Sequence, residues 1–129
     1  MRDRRSHTIV FAPGPAGQAI KNGISISFQA FKSVEDEVPV QRSVETYPSA
    51  RRARISLRDE IKRSSKLLEH SKAVKEEVDE RAVILRKLSK RESEFIIIWR
   101  QGAKLHAISS PSLEHALAFE QQKERGKIK

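Results

Sequence analysis

Apolar and polar positions divide the chain into four stretches. Between His7 and Ala12 they alternate, Ile9 and Phe11 to one side and Val10 to the other, which predicts a strand. Pro13-Gly14-Pro15-Ala16-Gly17 then supplies a break. Asn22-Gly23 is a turn signal, because both residues tolerate positive φ. It either closes a tight hairpin on residues 19–21 or ends a longer loop. The cleanest alternation follows. Ile24, Ile26, Phe28 and Ala30 point one way, and Ser25, Ser27 and Gln29 the other, as in a half-buried antiparallel strand. Residues 7–31 are therefore expected to form a β arm.

Residues 32–48 are polar with scattered valines and read as a linker. Val38-Pro39-Val40 is the alternative, a strand at a sheet edge, where proline's missing N–H is tolerated. The acidic run Glu35-Asp36-Glu37 reads as a solvated loop.

Residues 49–92 contain neither glycine nor proline. Ser49 after Pro48 is a helix start, and good helix formers follow. Steps of four and three from Leu57 pass through Ile61, Leu68, Val78, Ala82 and Leu85, interrupted by Ser64, Ser71 and Lys75. Such a repeat predicts a long amphipathic helix whose apolar seam asks for a partner helix. Unbroken it would run roughly 60 Å. It must either break near His70-Ser71 and fold back, or pair with a second copy of the chain. A homodimer is the favoured expectation.

In residues 94–126 the run Phe95-Ile96-Ile97-Ile98-Trp99 predicts a strand buried on both faces. Gln101-Gly102-Ala103 is a turn, and Leu105, Ala107 and Ile108 mark the returning strand of a hairpin. Ser110 with Pro111 starts a last helix, Leu113, Ala116, Leu117 and Phe119 form its apolar side, and Gly126 ends it. The expected fold is α+β: a β arm, one long helix, and a C-terminal hairpin with a short helix.

Charge narrows the function. The 129 residues carry a formal net charge of +9, a field that attracts polyanions. More than half of the 26 Lys and Arg lie in residues 49–92. Arg51, Arg54, Arg58, Lys62 and Lys66 fall on one helical stripe, flanked by Arg52 and Arg63, against only Asp59 and Glu60. Arginine's forked donors suit phosphate oxygens and guanine edges. Beyond residue 68 the signs mix, as on a solvated helix face.

The absence of cysteine excludes disulfides, thiolate catalysis and cysteine-based metal sites. The glycine loop after the first strand lacks the Gly-Lys-Ser/Thr half of a phosphate loop. His7, His70, His106 and His115 match no metal or zinc-protease spacing, and Ser109 and Ser110 have no nucleophile context. No cofactor or metal is expected, and no enzymatic activity. Trp99 reads as core. No stretch has a transmembrane length, and the apolar run 9–12 is too short for a signal peptide, so an intracellular, cytoplasmic protein without a membrane partner is expected. The expected function is a non-enzymatic, regulatory or accessory protein that binds nucleic acid, DNA rather than RNA. The alternative is a protein-interaction module that meets an acidic partner surface.

Overall fold

The computed structural model describes residues 8–72 and 80–125. Its centre is one seven-stranded antiparallel sheet with two short helices, one on each face. The strands are β1 (Phe11–Lys21), β2 (Ile24–Ser33), β3 (Pro39–Thr46), β4 (Lys66–Lys72), β5 (Glu80–Lys87), β6 (Ser93–Gln101) and β7 (Lys104–Ser110). The helices are α1 (Ala50–Arg63) and α2 (Leu113–Phe119), the latter continuing into a π-helical segment, Glu120–Arg125. Across the sheet the order is β1-β2-β3-β7-β6-β5-β4, every neighbouring pair antiparallel.

This overturns the α+β expectation with its long amphipathic helix over residues 49–92. Ser49 does cap a helix, its side chain accepting from the Arg52 N–H at 3.1 Å. The helix ends at Arg63. Ser64 turns extended (φ −69°, ψ 152°) and donates from Oγ to the Ile61 carbonyl at 2.7 Å. The next amide, Ser65 N–H, already donates to the Leu85 carbonyl at 2.8 Å, so the chain enters the sheet there. Serine here does the work for which glycine is the usual signal, because its hydroxyl competes for helical backbone groups.

Residues 80–87 form a strand because Ala82-Val83-Ile84-Leu85 is a continuous apolar run in an element buried on both faces. That pattern fits a helix repeat by accident. The turn from β5 to β6 also lacks glycine and proline: Leu88 N–H donates to the Glu92 carbonyl, and Ser89 Oγ accepts from the Glu92 N–H at 3.1 Å. The expected seam does not exist. Leu57 and Ile61 are on α1, Leu68 is exposed on β4, and Ala82 and Leu85 point to opposite faces of β5. Val78, Lys75, His7, Gly126 and the tail after it lie outside the described residues. With no roughly 60 Å helix to cover, the reason for expecting a second copy of the chain disappears.

The 32–48 linker is corrected as well: residues 39–46 form β3, an interior strand between β2 and β7, with Pro39 at its first position. Strand β1 runs through the predicted break at 13–17, with a register irregularity between Pro13 and Ala16; it is an edge strand, where proline costs no ladder bond. Asn22 (φ 54°) and Gly23 (φ 78°) close the tight β1–β2 hairpin. Gly17 sits opposite Phe28, and a Cβ there would lie 2.7 Å from the ring tip, so only glycine lets that ring lie across β1. At the C-terminus the cap is Ser112 rather than Ser110, accepting from the His115 N–H at 3.2 Å.

Each face has its own core. On one, Leu57 of α1 packs on Ala82, Ile84, Ile96, Ile98 and Leu105. On the other, Ala116 and Phe119 of α2 pack on Phe11, Val40, Val83, Ile97, Trp99 and Ile108. Strand β6 serves both, which is why its apolar run is unbroken.

Candidate nucleic-acid interface

Helix α1 is seated by Ala53 and Leu57, both fully buried. At 100° per residue, Arg51, Arg54, Arg58 and Lys62 then lie within about a quarter-turn of one another on the outward side, spanning roughly 16 Å. All four are exposed, as are Arg52 and Arg63. No acid partner is found for Arg51, Arg52, Arg54 or Lys62 among the described residues. Arg58 Nε lies 3.4 Å from Glu80, and Arg63 pairs with Glu60 at 2.8 Å.

Asp59 is the one exposed acid on the helix, and the other nearby acids are shared with groups of the sheet. Glu60 also pairs with Arg86 of β5. Glu80 is buried, with His70 at 2.5 Å. Glu69 and Glu120 hold Arg81, at 2.5 and 2.7 Å, and Glu124 holds Arg42. With these five glutamates held in ion pairs and only Asp59 exposed among the arginines, the helix surface keeps an excess of positive charge.

Lys66, expected on the helical stripe, instead opens β4, exposed and next to the helix end. It has company that the sequence reading assigned to scaffold. The Lys87 N–H donates to Ser65 Oγ at 3.0 Å, which brings the end of β5 to the end of α1. Lys87, Lys90 and Arg91 are all exposed at that corner. The signal for them was available: a basic turn built on Ser89. The expected helix face of Leu57, Ile61, Leu68, Ala82 and Leu85 is not brought together, although Leu57 and Ala82 meet across the helix–sheet core.

The histidines are divided between different surroundings. His106 stacks parallel on Trp99 with ring centroids 5.0 Å apart, and neither ring nitrogen has a hydrogen-bond partner. Burial, reinforced by the charge of Arg42, pushes its pKa down to about 4, so the ring is neutral near pH 7. His115 lies against Asp36 (Nε2 to Oδ2, 3.0 Å), Ser112 (Nδ1 to Oγ, 2.7 Å) and the edge of Phe11. A hydrogen bond from Ser33, with further help from His115, holds the Asp36 carboxyl below its ordinary range. These contacts pin the β2–β3 turn to α2, and Ser112 Oγ is occupied as a helix cap. His106 and His115 thus sit in separate surroundings. Among the described residues no group of three or more His, Asp or Glu is placed to hold a metal ion.

A shallow cleft of about 360 Å³ lies on the β1–β2–β3 wing, lined by Gln18, Ser27, Gln29, Phe28 and Arg42 among others. It brings together no acid–base pair. No described helix is long and apolar enough to cross a membrane. No protein-family model matches this chain, and no characterised protein or solved structure does. The functional argument therefore rests on the surface itself.

Proposed function

We propose that this chain is a non-enzymatic nucleic-acid-binding protein that grips duplex DNA through α1 in a regulatory or accessory role. The observation that carries the proposal is the row Arg51, Arg54, Arg58 and Lys62: exposed, held on a helix seated by Leu57 and, Arg58 apart, without acid partners among the described residues. Fixed cations on a rigid element bind phosphates without ordering a loop first. Lys66, Lys87, Lys90 and Arg91 extend the same field around the end of the helix. Affinity then comes from phosphate contacts, and sequence preference is modest.

A second proposal, an acidic protein surface as the partner, is favoured by Ile55. It is 47% exposed in the middle of the basic face, where a phosphate backbone has no use for it and a protein partner does. A pull-down from cell extract with and without nuclease treatment separates the two. Under the nucleic-acid proposal the recovered material is chiefly nucleic acid, and nuclease strips the bead of it. Recovery of one protein partner, unchanged by nuclease, would favour the second.

A further inference from the structure

Arg58 differs from the rest of the row. Its side chain is 46% exposed, yet its Nε lies 3.4 Å from Glu80 Oε2. Glu80 stands on β5 beneath α1 with its side chain only 4% exposed. The same carboxylate oxygen is 2.5 Å from Nε2 of His70, on the neighbouring edge strand β4. Burial works to raise the Glu80 pKa, but the His70 hydrogen bond and the charge of Arg58 outweigh it and leave it below the ordinary value. One buried carboxylate oxygen is thus shared by an arginine and a histidine.

Among the described residues, Glu80 from β5 is the charged group in contact with His70, and Arg58 from α1 meets the same Glu80 oxygen. The strand neighbour of His70, Glu69, points to the opposite face and pairs with Arg81, which Glu120 also holds. With His70 protonated, the imidazolium and Glu80 form a neutral pair, and Arg58 is at liberty to swing outward. With His70 neutral, the full charge of Glu80 falls on Arg58 and draws it down to the sheet.

We propose that His70 is a proton-operated control on the basic row, releasing Arg58 to phosphate when protonated and returning it to Glu80 when neutral. This rests on the reading of α1 as a phosphate-binding helix. Protonation of His70 decides which cation the shared Glu80 oxygen keeps, because both nitrogens meet that one atom. Nucleic-acid affinity rises as pH falls.

The test is a fluorescence-anisotropy titration of a labelled random-sequence DNA duplex at fixed ionic strength, between pH 8.0 and pH 5.5. Gaining one phosphate contact is expected to tighten binding by roughly 3- to 10-fold on going to the lower pH. His70→Gln, neutral throughout, is expected to hold affinity at the weaker level. Glu80→Gln, which removes the retaining charge, is expected to hold it at the tighter level at both pH values, with circular dichroism confirming that each variant is folded. Wild-type binding indifferent to pH, or a pH response that survives His70→Gln, overturns the proposal. A second readout separates this from failure of the underlying reading. In the free protein the Arg58 Nε–H proton resonance should follow pH in wild type and stay fixed in Glu80→Gln. Coupling in the free protein without DNA binding would remove the phosphate reading and leave the Arg58 control standing; an uncoupled Arg58 would remove the control itself.

Discussion

Replacing Arg51, Arg54 and Lys62 together by glutamate is expected to weaken duplex-DNA binding by roughly 100-fold or more at about 100 mM salt, while leaving the melting temperature nearly unchanged. Each lost phosphate contact costs severalfold in this salt range, and each new carboxylate adds repulsion. Arg58 is left out of the set because a glutamate there would face the buried Glu80 and confuse binding with folding. The three chosen residues are exposed and lack acid partners among the described residues, and surface changes of that kind stay within about 0.5 kcal/mol. The first turn of α1 holds no acid, so glutamate at 51 also suits the positive end of the helix dipole. The comparison is Lys21, Lys32 and Lys104 to glutamate, an equal change of net charge outside α1. It is expected to reduce affinity far less. Equal losses in the two triple variants would mean that net charge alone drives binding and that α1 is not the interface.

Glu120→Ala is expected to be the most damaging polar substitution in the protein. Arg81 of β5 reaches across the α2 face to Glu120 with two hydrogen bonds, Nε at 2.9 Å and Nη2 at 2.7 Å. Their side chains are 10% and 4% exposed. The hydrogen bonds to Glu120 hold the Arg81 pKa above its ordinary value against burial. Removing the carboxylate leaves a buried guanidinium with, among the described residues, only the exposed Glu69 as counter-charge. Such losses cost about 3–5 kcal/mol, a large part of the 5–15 kcal/mol typical of a whole domain. The expected fall in melting temperature is roughly 10–25 °C. The double replacement Arg81→Met with Glu120→Leu should regain most of it, since an apolar pair of similar volume carries no stranded charge. A melt of Glu120→Ala that overlays the wild type would mean that the pair is open to water in solution.

These two features were not equally legible in the sequence. The row on α1 could be read directly, because Ser49 announces the helix and its charges repeat with the helical period. The C-terminal hairpin was legible from the unbroken run at 95–99 and the glycine at 102. The centre of the fold was not. Residues 66–72 and 80–87 form strands only because they pair with each other and with β6, partners that a local pattern does not reveal. Helix propensity and a chance four–three spacing pointed the other way, and tertiary pairing prevailed. The turns that cut the segment are made by Ser64 and Ser89, whose hydroxyls bond to nearby backbone in place of glycine or proline. The Arg81–Glu120 pair and the shared carboxylate of Glu80 depend on that same pairing. They come from residues 39 and 10 apart in sequence that the sheet brings together.

The most direct test of the account is the salt dependence of duplex-DNA affinity, measured for wild type and for the Arg51, Arg54, Lys62 triple variant between about 50 and 250 mM salt. At pH 5.5, with Arg58 released from Glu80, four phosphate contacts along α1 predict a slope of roughly −3.6 in log K against log salt, falling to about −1 in the variant. Absence of binding at about 50 mM salt, or the same slope in both proteins, would contradict it.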